Sequence, residues 1–320
     1  MPSLLSQLPP PPPGKNGWPW TVESDPLPPT MPDGQPWPKI SIVTPSYNQG
    51  KYIEETIRSV LLQNYPNYEY IIIDGGSVDE SVCIIKKYEK FIKFWISEAD
   101  KGQANALNKG FTYVTGRYFA YINSDDIYLD NAFATLVKKI LSSKSDLVTG
   151  IVVTLPDGKH LNPVLPKCMA DWLSEDGFSL LQPGCFWRVD KNFMMFNENY
   201  HFVFDREYFW RIHAAKKRLA KINVAVAGFR LHQNSKTCSL PQSFVEENNV
   251  LNEIIRQNLS CDDVLILAKK QRKRELEKKF HDIDRLSLKS LRFIAKYVMI
   301  CPEIVFSRPF YGRVRRLLGM

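Results

Sequence analysis

Between residues 39 and 153 the chain switches regularly between two apolar patterns. Residues 39–44 form a short β-rich apolar run, whereas residues 52–62 set Ile53, Ile57, Val60 and Leu61 at helical spacing. The alternation continues with a strand over 69–73 ending on Asp74, a helix over 81–88, a strand over 94–97 and a helix over 103–114. A strand over 117–122, a helix over 132–141 and a strand over 146–153 complete it. Strands alternating with helices predict βαβ units, hence an α/β fold with a mostly parallel sheet flanked by helices. Open sheets of this kind bind ligands outside the carboxyl ends of their strands, so the loops after Thr44, Ile73, Ser97 and Ile122 form the expected functional edge. Past residue 153 the pattern is less regular. It predicts a hairpin turn at Pro156-Asp157-Gly158, a short strand over 182–188, a helix over 205–213 and a strand over 222–227. After Pro241 the chain reads as helical, broken at Pro302 and Pro309.

Composition adds boundaries. Residues 1–38 hold 13 of the 22 prolines, with Trp18, Trp20 and Trp37 among them, which predicts an extended arm pinned by its tryptophans. The net charge of +8 sits entirely in residues 261–320, which carry 15 basic and 7 acidic side chains. The chain therefore divides into an arm (1–38), a main domain (39–240) and a basic helical C-terminal region (241–320). The six cysteines are scattered without a C-x-x-C pair, which argues against a zinc site or a disulfide framework and for a reducing compartment. The N-terminus lacks the basic start and apolar core of a signal peptide, and the most apolar C-terminal stretch, 291–306, is interrupted by Arg292, Lys296, Pro302 and Glu303. The expected location is cytoplasmic. Apolar residues interleave the basic run, as in Leu265, Leu276, Phe280 and Leu291. That run reads either as a solvated helical face or as a peripheral contact with an anionic membrane. Nucleic acid is not expected as a partner, because no recognised binding module accompanies it.

The candidate chemistry lies at the strand ends. Thr44-Pro45-Ser46-Tyr47-Asn48-Gln49 combines backbone donors, a helix N-terminus and a stackable ring, although a plain strand–helix turn has the same residues. Asp74-Gly75-Gly76-Ser77 offers a carboxylate and close backbone approach, or simply a tight turn. Glu98-Ala99-Asp100-Lys101-Gly102-Gln103 is a third polar strand end. The fourth, Asn123-Ser124-Asp125-Asp126, presents two adjacent carboxylates, which suit Mg2+ or Mn2+ with phosphates and also suit a helix cap.

Taken in order, these four strand ends resemble family 2 glycosyltransferases of the GT-A fold, over roughly residues 39–237. The resemblance implies a nucleotide-sugar half (39–153) and an acceptor and catalytic half (154–240). It implies that Thr44, Pro45, Tyr47 and Asn48 surround the base and ribose of a nucleoside diphosphate sugar. Asp74 would meet the base edge, with Lys101 and Gly102 near the nucleotide or sugar. Ser124-Asp125-Asp126 matches the end of the family's D-x-D element, with Asp125 the ligand of a divalent metal, Mn2+ or Mg2+. Asn123 stands where the family has Asp, which removes one negative charge. In the second half Phe204-Asp205-Arg206-Glu207 resembles the later acidic motif, with Asp205 as general base and Glu207 on the acceptor side. Gln182 and Trp187 fall in the segment that lines the acceptor, and His232 and Lys236 in a closing loop near the diphosphate. Two residues apart on a helix, Asp205 and Glu207 diverge by about 200° and do not share one job.

The expected reaction is therefore an inverting sugar transfer to a hydroxyl of a glycan or lipid-linked acceptor, in polysaccharide or glycolipid synthesis. Two alternatives stand beside it. A nucleotidyltransferase shares the sheet and the carboxylate-bound metal, and a non-catalytic sugar-nucleotide or glycan-binding subunit would account for Asn123.

Overall fold

The computed structural model describes residues 3–155, 162–164, 182–191, 193–232, 242–283, 288–300 and 314–317. They belong to two compact units, residues 1–172 with 176–254, and residues 173–175 with 255–320.

In the first unit β1 (Ile40–Ser46), β2 (Tyr68–Asp74), β3 (Phe94–Ser97) and β4 (Tyr118–Tyr121) run parallel in the order β3-β2-β1-β4. The helices α1 (Ile53–Leu61), α2 (Ser81–Lys87) and α3 (Gln103–Phe111) connect them. Every residue of β1 is buried, as expected for a strand covered on both faces. Register places Ser46 opposite Asp74 and Asp74 opposite Ser97, so three polar strand ends lie level with one another.

The chain continues through β5 (Ile127–Tyr128), α4 (Ala132–Ser143), β6 (Leu147–Leu155) and β7 (Asn162–Val164). After a 3-10 turn at Gln182–Gly184 come β8 (Cys185–Arg188), α5 (Phe204–Ala214), β9 (Leu219–Arg230) and α6 (Gln242–Gln257). Beyond β4 the sheet order is β8-β6-β9-β5, with β7 on the side of β6. Here only β6 and β9 pair in parallel; β8, β5 and β7 pair antiparallel to their neighbours. The parallel character expected of the sheet holds for the first four strands, and the second half is mixed. Of the later strands β9 bears most on the functional edge, because its end brings Arg230 and then His232 to the end of β4.

Most predicted elements differ from those observed by one to three residues. Two differences have a physical cause. The strand expected over 182–188 begins only at Cys185, because Pro183 holds the preceding residues in a 3-10 turn. The strand expected over 222–227 runs from Leu219 to Arg230; Lys221 before that stretch and Gly228 after it hide its length from an apolar pattern. The turn at 156–158 lies outside the described residues.

The proline-rich arm packs on the unit. Leu8, Trp20 and Trp37 are buried, the Trp18 indole donates to Tyr128 O (2.8 Å), and the Trp37 indole donates to Pro28 O (2.8 Å). Its anchor is Arg58 of α1, a guanidinium with no exposure that donates to Pro9 O, Pro19 O and Trp20 O and to the Tyr88 hydroxyl.

The second unit holds α7 (Cys261–His281) and α8 (Leu288–Ile300). A reciprocal capping box between Ser260 and Asp263 starts α7. Phe280 and Tyr297 form a small core with Leu276, Ile283, Phe293 and Ile294. Among the described residues no helix is long and apolar enough to cross a membrane.

Candidate active site

Loop one is held to loop two. Asn48, at a positive φ of 50°, donates its N–H to Ser77 Oγ (2.7 Å) and accepts from Val78 N–H (2.9 Å). Tyr47 beside it is 63% exposed, a free ring at the sheet edge. Thr44 is placed differently from the sequence expectation: it is buried, and its hydroxyl meets Tyr70 OH at 3.0 Å. Pro45 is likewise buried within β1. Asp74 is also internal, its carboxylate accepting from Gly76 N–H, from Ser77 N–H and hydroxyl, and from Ser97 hydroxyl. It shapes the glycine loop rather than projecting from it. Sequence reasoning passed over Ser46, whose buried hydroxyl has no protein partner at the end of β1.

Loop three turns at Gly102, whose φ of 109° suits only glycine; a Cβ there would stand 3.3 Å from His201 Nδ1. Asp100 accepts from Gly102 N–H (2.7 Å), and Lys101 remains exposed. At the start of α3, Gln103 donates to Asn123 Oδ1 (2.6 Å), which joins this loop to the end of β4.

The β4 end is the most elaborated part of the site. Asn123 accepts from Gln103 and donates to Asp126 Oδ2 (3.4 Å). A carboxylate at 123 has no hydrogen to offer Asp126, which gives a local reason for the amide. Asp126, expected near the sugar donor, is instead fully buried and accepts the Arg230 N–H at 2.8 Å. Burial and then the adjacent Asp125 push its carboxyl well above the usual range, against the pull of Arg230 and Asn123. Ser124 is buried and its carbonyl accepts from Thr56 Oγ1 (3.0 Å). Asp125 keeps part of its side chain open, and its Oδ2 lies 3.0 Å from His232 Nε2. The His232 ring packs on Tyr52 with centroids 4.6 Å apart. Arg230 completes the group, donating from Nε to Asp125 O (2.8 Å), pairing with Glu55 (3.1 Å) and lying over the Tyr52 ring. Tyr52 and Glu55 sit on a helical pattern and carried no sequence signal of their own, while Gln103 was visible only as the last residue of the third polar strand end. Lys236 lies outside the described residues.

Asp205 is the second residue of α5, half-buried, and accepts Arg206 N–H. After burial itself, its charge raises the Tyr121 hydroxyl, and it also contributes to the Cys185 thiol, pushed up to about 12 mainly by burial. The residue before Asp205, Phe204, packs its ring on that of Tyr121 with centroids 6.4 Å apart, which brings the start of α5 to the last residue of β4. Glu207 points elsewhere, as the helical angle requires: Oε1 accepts from Arg211 (2.7 Å), while buried Oε2 has no protein partner. Two acceptor-side expectations are displaced. Trp187 lies in the aromatic core, stacked on Tyr121 at 5.9 Å and packed on Phe119 and Phe209. Gln182 is buried and donates to Tyr121 O. Both sit inside because β8 runs between β4 and β6.

These strand-end loops and the Asp205 helix are carried by an α/β sheet of the GT-A type. The family model "Glycosyl transferase family 2" matches residues 41–212, more than half of the 320 residues, and the chain belongs to that family. A putative teichuronic acid biosynthesis glycosyltransferase, TuaG, from Bacillus subtilis is 44% identical over 92 residues, covering 28% of this chain and 36% of that protein. The UDP-Glc:alpha-D-GlcNAc-diphosphoundecaprenol beta-1,3-glucosyltransferase WfgD of Escherichia coli is 33% identical over 112 residues, covering 35% of this chain and 44% of that protein. The chain thus spans less than half the length of these relatives. S. aureus TarS 1-349 in complex with UDP-GlcNAc superposes with a TM-score of 0.59 at 16% identity, covering 83% of this chain and 82% of that one, a likeness of fold.

Proposed function

We propose that the chain transfers a hexose from a UDP-sugar to a hydroxyl of a glycan or lipid-linked acceptor, inverting the anomeric centre, in cell-envelope polysaccharide synthesis. The observation that carries this reading is the juxtaposition at the end of β4. Asp125 meets His232 there, and the start of the Asp205 helix reaches Tyr121 through the Phe204 ring. The names of the relatives, a teichuronic acid enzyme and a UDP-glucose transferase acting on a diphosphoundecaprenol sugar, support the substrate class.

The residues present fit a divalent metal. A carboxylate and an imidazole in contact offer one oxygen and one nitrogen, a set that suits Mn2+ when substrate phosphates supply further ligands. Among the described residues no group of three or more such side chains exists, so Asp125 and His232 would hold the ion together with the diphosphate. Bound there, the ion would neutralise charge on the departing nucleoside diphosphate. Tyr47 offers a face for the base. Asp205 takes the acceptor proton as the hydroxyl attacks.

A thermal-shift screen of nucleoside diphosphate sugars with and without Mn2+, followed by transfer assays, tests the proposal. UDP-hexoses should raise the melting temperature, more so with Mn2+, and transfer should release UDP. Release of pyrophosphate would instead identify a nucleotidyltransferase. Stabilisation without turnover across a broad acceptor panel would identify a binding subunit. We further infer that the second unit contacts an anionic membrane, where a lipid-linked acceptor resides. It exposes Lys269, Arg272, Lys278, Lys279, Arg292 and Lys296 beside the apolar Val264, Leu265, Leu291 and Met299.

A further inference from the structure

The helix that carries Asp205 begins without a cap of its own. Its N-cap is Val203, which has no side-chain oxygen, although the first N–H groups of any helix need acceptors. The residues that lead into it are held instead from a distant segment. The Glu247 carboxylate of α6 receives His201 N–H (3.0 and 3.1 Å), Phe202 N–H (2.8 Å) and Val203 N–H (3.3 Å). One turn further along α6, Asn252 Oδ1 accepts from Arg206 (2.6 Å), and Asn248 Oδ1 accepts from the same guanidinium (2.5 Å). Leu251, fully buried, lies on the same face of α6. The helix α6 therefore grips α5 on both sides of Asp205, at residues 201–203 and at 206.

The gripped turn also touches the nucleotide half. A Cβ at Gly102 would meet the His201 ring, so loop three leans on the turn that Glu247 holds. A displacement of this turn would move Asp205 relative to Gly102 and Lys101 together. None of the gripping side chains lies in the segment matched by the family model, which ends at residue 212.

We propose that Glu247 is a positioning residue for Asp205, which makes α6 a working part of the active site. The inference rests on the transferase reading above. The physical basis is a negative charge next to a helix N-terminus with three charge-assisted hydrogen bonds from residues 201–203, which fixes the entry into α5. A reacting group misplaced by about 1 Å loses about 100-fold in rate, whereas the sugar donor's main contacts lie on other strands.

Three variants of the full chain, Glu247→Ala, Glu247→Gln and the double variant Asn248→Ala/Asn252→Ala, are compared with wild type by steady-state kinetics and amide hydrogen exchange. Glu247→Ala should lower kcat about 30- to 100-fold with the sugar-donor KM within about twofold. Glu247→Gln, which keeps one acceptor oxygen, should recover about half of that loss on a logarithmic scale, and it stands in if the alanine variant does not fold. Exchange of residues 201–206 should accelerate in Glu247→Ala while β1 and β2 remain protected. An active wild type with kcat of Glu247→Ala within twofold, or unchanged exchange at 201–206, overturns the positioning role alone. An inactive wild type overturns the transferase reading and this role with it.

Discussion

Asp205 and Asn123 show how little of a side chain's task is fixed by its type. Asp205 is a half-buried carboxylate at the start of a helix, while Asp126, equally acidic, is sealed beneath Arg230. The role assigned to Asp205 predicts that Asp205→Asn, which keeps size and loses basicity, lowers kcat by about 10²–10⁴. Its affinity for a UDP-sugar should stay within about twofold, as measured by calorimetry; a kcat within threefold of wild type would remove Asp205 from the mechanism. At this scale the sequence carried the acids of the strand ends, the buried Asp74 and Asp126 included, because runs of polar residues there stand out against apolar strands. It did not carry Glu55 or Glu247, whose partners are residues or backbone groups far along the chain. The single local clue was the absence of a capping residue before Phe204.

Among the elements, the parallel strands are tied at both ends. Opposite the site, Glu69 of β2 binds Lys39 and Lys93 and accepts from the Ser41 hydroxyl and Thr115 N–H. Burial alone would raise its carboxyl, but these partners prevail and hold it at about 2 instead of 4.5. A carboxylate with a depressed folded-state value adds stability above its unfolded value, and that stability disappears as pH falls from 4.5 to about 2. The shift corresponds to about 3 kcal/mol at neutral pH. Urea unfolding of wild type and Glu69→Gln should therefore show a gap of that order at pH 7 that narrows steadily below pH 4.5. A gap independent of pH would reject the assignment. The first four strands were legible because each is an apolar run bounded by turn residues; β9 was legible only in its centre, where apolar residues predominate, and β8 only after the proline that delays it.

For the whole molecule, charge and exposure separate the two units. The main unit has balanced charge by sequence, and the C-terminal unit holds the excess. Binding to vesicles containing anionic lipid should exceed binding to neutral vesicles at least fivefold in co-sedimentation and fall with added salt, as near-surface cations contribute about 1 kcal/mol each. Equal binding to both vesicle types, or none, would count against a membrane contact. The basic region could be read from composition. That the arm is part of the packed structure could be read only in outline, from its tryptophans, because its main fastening is a single arginine inside another helix.

That arginine has a consequence for descent. The segment shared with the family starts at residue 41, yet Arg58 within it is bonded to carbonyls of residues 9, 19 and 20, all outside it. On its opposite side the same helix holds the β4 loop, through Thr56 to Ser124 O and Asp126 O. What is inherited in common and what must fold together thus have different borders here. Drift in the arm is answerable, through one helix, to the loop that carries Asp125, so the two stretches are expected to change in step across lineages although only one of them belongs to the shared domain.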